Sequence, residues 1–297
     1  MKYQISVLFL AILLTSSGIV VDEDLKYLKQ KPPTKIPQVF APNIISLEDE
    51  YEFGSVFNEA GTEFFYGVDT GDNSVIRYSK LEGDQWTTPK TILASDQYGF
   101  NDPFLSPDEQ RLYFISQRSQ EGFGGYDIWY VEKTANGWSE SINAGENINS
   151  KRNEYYISFT HDGTMYFSSN KDASENSGGD FDIFYSKYVG GEFQKPVALG
   201  EAINTSKYEA DVFIDPNESY IIFCGNRPDG MGRGDMYISF KNADGTWSQS
   251  KNMGAPINSN GHELCPFVTK DGKYFFYTSN EDIYWVSTEI FEDYRDE

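Results

Sequence analysis

An all-β propeller is the fold class this sequence predicts, a single ring of four-stranded antiparallel blades, and three observations predict it. One phrase recurs five times between residues 52 and 287, clearest as Pro103-Phe104-Leu105-Ser106-Pro107-Asp108, Leu112-Tyr113-Phe114 and Asp127-Ile128-Trp129. The closing aromatics of its middle segment, Tyr66, Phe114, Phe167, Phe223 and Tyr277, are spaced by 48, 53, 56 and 54 residues, a propeller period. Each copy also holds turn signals between short aromatic runs, such as Asp162-Gly163 and Asp271-Gly272 after a first run and Ala135-Asn136-Gly137 or Ala243-Asp244-Gly245 after a third.

Those signals divide a copy into four strands. The first ends at the Asp-Gly turn, as in 264–269, and the second is the aromatic run after it, as in 273–279. A third opens on an aspartate: Asp127, Asp182, Asp235 or Asp282. The fourth starts at an aromatic after the next turn, as in Trp86-Thr87-Thr88-Pro89, Phe193-Gln194-Lys195-Pro196 and Trp247-Ser248-Gln249. Residues 144–150, 199–205 and 253–259 then cross to the next blade, too short for a helix, which excludes a parallel βαβ design. Expected blades are 51–97, 98–150, 151–205, 206–259 and 260–288, and the fifth lacks a fourth strand. Residues 38–48 stand where that strand is missing and are expected to close the ring, leaving no free sheet edge. A sixth blade requires a decayed copy before residue 50.

Outside the propeller of 38–288, residues 1–18 carry Lys2, an apolar run from Ile5 to Leu14 and Ser16-Ser17-Gly18. The run is too short to span a bilayer and reads as a secretory signal. Residues 19–37 read as a polar spacer and 289–297 as a frayed acidic tail. The net charge is −22, from 24 basic and 46 acidic residues, and becomes −23 without Lys2. Nucleic acid needs a basic footprint that this surface lacks, and anionic membranes are disfavoured for the same reason. Two cysteines, Cys224 and Cys265, sit in adjacent copies; they read either as a disulfide between facing blades or, more plainly, as two small buried residues.

With Ser106-Pro107-Asp108, Leu112-Tyr113-Phe114 and Gly125-Tyr126-Asp127-Ile128-Trp129, the repeat resembles the WD-like propeller repeat of TolB-type periplasmic proteins over residues 38–288. The resemblance implies an exported binding platform of bacterial envelope complexes, periplasmic or extracellular, with no cofactor. It also implies a glutamate three residues before the first-strand proline, matched by Glu52, Glu154, Glu209 and Glu263, whereas the second copy has Phe100 there and Asp102 nearby. Since first strands line a propeller channel, these carboxylates and His262 are expected to surround one mouth and form a ligand site. The plainer reading pairs each glutamate with a basic residue after its own second strand, Arg118, Lys171 or Arg227. The first and fifth copies have Gly67 and Glu281 there instead, which singles out Glu52 and Glu263 for a cation or basic ligand.

Loops 117–126, 171–181 and 227–234 form a second candidate face, with Arg118, Lys171 and Arg227 as its binding residues. Their glycines, among them Gly122, Gly124, Gly125, Gly230, Gly232 and Gly234, open onto strands rather than a helix N-terminus and read as turns, not a phosphate cradle. Arg233-Gly234-Asp235 spells an adhesion tripeptide by alignment of the third-strand aspartate alone. Asp69, Asp72 and Asn73 have part of a calcium spacing without its closing glutamate, and His161 and His262 lack a metal-ligand partner. Trp86, Trp138 and Trp247 read as packing between blades. No nucleophile elbow or metal motif appears. The expected function is therefore a non-catalytic protein- or peptide-binding platform, with a carbohydrate-active propeller using mouth carboxylates as the alternative.

Overall fold

The computed structural model describes residues 21–118, 120–170 and 180–295, and within them the chain forms five antiparallel blades. The signal-like segment and Lys171 lie outside the described residues. Blade 1 runs Tyr51–Phe57, Glu63–Asp69, Ser74–Glu82 and Lys90–Leu93; blade 2 runs Asn101–Leu105, Arg111–Gln117, Tyr126–Thr134 and Ile142–Asn143. In blade 3 the strands are Glu154–Phe159, Met165–Ser169, Asp182–Ser186 and Val197–Ala198, and in blade 4 Tyr208–Ile214, Tyr220–Asn226, Asp235–Phe240 and Lys251–Asn252. Blade 5 has Leu264–Val268, Tyr274–Ser279 and Asp282–Ser287, and Gln38–Val39 pairs antiparallel with the last of these. The N-terminal strand thus closes the ring, as the missing fourth strand predicts.

Sequence logic explains most of these elements. The turn aspartates cap their own hairpins: Asp162 accepts the Thr164 N–H at 3.0 Å and Asp108 that of Gln110 at 3.1 Å. The fourth strand departs from expectation. Trp86, Trp138 and Phe193 belong to two-residue pieces that extend a hairpin, and the strand beside the third begins only after them, at Lys90, Ile142 and Val197. Pro89 and Pro196 stand at two of these breaks, where a residue without an N–H cannot serve a sheet ladder.

Both terminal segments also differ from expectation. The spacer is anchored: Tyr27 and Leu28 are buried, Tyr27 packs edge-on against Phe57 and Tyr274, and the Trp86 indole donates to the Leu25 carbonyl at 2.8 Å. The tail is a 3-10 helix, Thr288–Tyr294, whose Ile290 and Phe291 are buried and whose Tyr294 hydroxyl donates to the Met253 carbonyl at 2.7 Å. Charge misled the sequence reading in each case, because the few apolar side chains in these segments decide where they rest.

Candidate functional site

Every first strand carries a β-bulge at the same repeat position, and the residue there has a positive φ: Gly54 (52°), Asp102 (49°), Tyr156 (37°), Asp211 (48°) and Cys265 (56°). A bulge inserts one residue and bends the strand, here at the ring's centre. Holding a non-glycine residue in this region costs roughly 1–3 kcal/mol, and such conformations concentrate at functional sites. Glycine is required in blade 1, since a Cβ on Gly54 would stand 2.9 Å from Asp102 Oδ1.

The bulge residues converge. Cys265 donates its thiol to Asp102 Oδ1 and its backbone N–H to Asp211 Oδ2, each at 3.2 Å, and the buried Tyr156 hydroxyl donates to the Pro266 carbonyl at 2.9 Å. Above them opens a funnel of about 580 Å3, lined on its walls by Tyr51, Tyr98, Tyr126, Tyr155 and Tyr208 and at its rim by Asp69 and Asp72. Tyr126, Tyr155, Phe181 and Tyr208 form a continuous arc with ring centroids 5.0, 5.3 and 5.7 Å apart. On the other face Phe104, Phe213 and Phe267 meet ring to ring at 6.0 and 6.2 Å, nearly without exposure, and close the channel. The funnel therefore opens on one side only.

Electrostatics sharpens the floor. Burial pushes the carboxyls of both Asp102 and Asp211 upward; the negative charge of Asp211 adds to this at Asp102, while His262 and the Cys265 N–H oppose it at Asp211. Burial holds the thiols of Cys224 and Cys265 well above their ordinary range, and both are free, so no disulfide joins them. The Cys224 sulfur instead lies 3.5 Å from His262 Nε2.

Of the mouth residues the sequence proposes, only Asp102 lines the funnel. Glu52, Glu154, Glu209 and Glu263 are fully buried in the blades. Glu154 accepts from the Ser150 N–H, the Ser150 hydroxyl and the Ser169 hydroxyl; Glu263 accepts the equivalent set from Ser259 and Ser279. Glu209 binds Thr205 in the same way and adds Arg227 at 2.9 Å. These carboxylates pin each crossover to the first strand it feeds. Within the crossover, the side chains of Asn149, Asn204 and Asn258 bond both the N–H and the carbonyl of Ile128, Ile183 and Met236, standing in for an outer strand. Glu52 is the exception: among the described residues it accepts only the Leu47 N–H at 3.2 Å, its Oε2 has no partner there, and burial raises its pKa to about 7.

The two described loop cations, Arg118 and Arg227, are also bonded within the blades. Arg227 bonds Glu209, Ser250 and the Ile203 carbonyl. Arg118, whose blade has Phe100 in place of the glutamate, bonds Ser141 and lies over the rings of Tyr98 and Trp129 at 4.1 and 4.3 Å. Aromatic faces here replace a carboxylate as the cation's partner. Loop glycines answer to close approach: a Cβ on Gly124 would meet the Arg152 carbonyl at 2.3 Å, and Asp235 of the tripeptide is buried, accepting the Met231 N–H at 2.6 Å. Asp69 caps Gly71 at 2.8 Å, and His262 faces an outer basin shared with Lys207 and Arg233. Trp138 reaches Phe65 of the neighbouring blade at 6.0 Å.

Sequence reasoning missed Asp211, Cys265 and the tyrosines. The signal for Asp211 and Cys265 lies two residues after the repeated glutamate, where the copies read Gly, Asp, Tyr, Asp and Cys, a position at which they disagree.

No protein-family model and no curated protein matches the sequence. Among solved structures, a thermostable family-43 glycoside hydrolase superposes with a TM-score of 0.54 at 15% identity, over 82% of this chain and 90% of that one. TolB from Acinetobacter baumannii gives a TM-score of 0.50 at 14% identity over 81% of this chain, which spans only 55% of that protein's length. At such identities the likeness is one of fold. The chain is a five-bladed β-propeller with the fold of the TolB-type propellers.

Proposed function

We propose that the protein is an exported, non-catalytic propeller that binds a segment of a protein or peptide partner of the cell envelope in its central funnel. One observation carries this reading: a one-ended, tyrosine-walled funnel of about 580 Å3, the size of a ligand site, built over bulges of all five blades, four of them holding a non-glycine residue at positive φ. The apolar run from Ile5 to Leu14 supports export, and no helix among the described residues is long and apolar enough to cross a membrane. Binding to an immobilised peptide library tests the reading. Tyr155→Ala with Tyr208→Ala is expected to lower retained binding at least tenfold; unchanged binding would refute the funnel as the site.

The two floor carboxylates favour one alternative, a carbohydrate-active propeller. Glycoside cleavage needs two carboxyls about 5–9.5 Å apart, one of them held protonated, and burial of Asp102 and Asp211 supplies the second condition. Absence of turnover across a glycoside panel removes this alternative.

A further inference from the structure

The funnel floor carries two carboxylates, and no basic side chain lines it. Neither lysine, arginine nor histidine lines the funnel, the rim charges Asp69 and Asp72 have the same sign, and the one base that acts on Asp211, His262, lines the neighbouring basin instead. Among the described residues Asp102 receives one S–H and Asp211 one N–H, both from Cys265. Three buried acids of the blades show what compensation requires: Glu154 and Glu263 take three donors each, and Glu209 takes an arginine, whereas Glu52 keeps an unpartnered oxygen. Two like charges in a desolvated site repel unless a proton or an outside cation intervenes.

The walls suit such a cation. Tyr51, Tyr155 and Tyr208 stand half-buried around the two aspartates, and tyrosine rings attract a cation through their faces. The same belt already uses this device, because Arg118 lies on Tyr98, a funnel residue, with Trp129 against its guanidinium.

From these juxtapositions, and resting on the funnel being the ligand site, we infer that the floor is a cage for an organic ammonium group, seated between Asp102 and Asp211 and against Tyr51, Tyr155 and Tyr208. A lysine side chain or a free amino terminus of the bound segment supplies that group. A neutral sugar offers hydroxyl donors but leaves the paired charge uncompensated, so charge sets the preference.

Titration by NMR of the full-length protein tests the cage with small probes. Nα-acetyl-lysine methylamide represents the side chain, glycinamide the free terminus, and Nα,Nε-diacetyl-lysine methylamide the neutral control. At least one amine is expected to bind ten or more times more tightly than the control, and whichever binds identifies the source. The isosteric double variant Asp102→Asn/Asp211→Asn, shown folded by near-ultraviolet circular dichroism, is expected to lose that preference. Equal binding of amine and acetylated probe, a preference surviving in the double variant, or a neutral oligosaccharide occupying the floor in preference to the amines would overturn the cage. If the tyrosine pair abolishes peptide binding while the amine preference is absent, the cage fails and the funnel reading stands. If neither probes nor peptides bind, both fail.

Discussion

At the scale of single residues the molecule shows how one repeated position can be settled in different ways. Glu154, Glu209 and Glu263 are buried and well bonded, whereas Glu52 keeps an unpartnered oxygen and a pKa raised from 4.5 to about 7. The folded state therefore holds a proton that the unfolded chain has already released between those values, so this group lowers stability as pH rises from about 4.5 to 7. Below that window the carboxyl is protonated in both states and contributes little; above it the full burial penalty remains. Glu52→Gln is expected to gain stability relative to the parent between pH 5 and pH 8, by on the order of 1–3 kcal/mol in denaturant titrations. A second contrast concerns the arginines. Arg227→Ala strands the Glu209 carboxylate and is expected to cost about 3–5 kcal/mol. Arg118→Ala strands no buried acid, because its only carboxylate contact among the described residues, Glu121 at 3.8 Å, is exposed, and should cost about 1–3 kcal/mol.

The element that most repays attention is the crossover. Its phrase, Gly, two residues, Ile-Asn and then Ser or Thr, is written at 145–150, 200–205 and 254–259, and the Asn side chain bonds the third strand where an outer strand would. Asn204→Ala removes three side-chain hydrogen bonds, to the Ile183 N–H and carbonyl and the Leu199 carbonyl. A loss of about 2–4 kcal/mol in thermal or chemical unfolding is expected, with similar losses for Asn149→Ala and Asn258→Ala. The repeat of this phrase was legible in the sequence, and its mechanism was not. An asparagine in a loop reads as a turn former, and only the neighbouring strand reveals that it pairs with backbone.

Across the whole molecule, closure is the decisive event. Gln38–Val39 joins the last blade to the chain's beginning, and Phe40 beside it is fully buried among Phe57, Phe64, Phe276 and Trp285 at 5.0–5.8 Å. Phe40→Ala is expected to cost about 3–5 kcal/mol and, because it opens the seam between first and last blades, to reduce the cooperativity of the thermal transition. Tyr27 on one side and Phe291, which packs against Tyr220 and Phe275, on the other staple the segments that flank the blades onto the ring.

The fold was written in the sequence because its cause is periodic: alternating apolar runs, Asp-Gly turns and a missing last strand each act locally and recur. So was Asp102, by its departure from the repeat. The funnel floor as a whole was not, since Asp102, Asp211 and Cys265 stand up to 163 residues apart in the chain and meet only when five bulges face one axis. The sequence alone determined a ring of blades and an acidic surface. Tertiary structure decided which acids are mortar and which face the funnel, because burial and partners belong to the closed ring and not to any one blade.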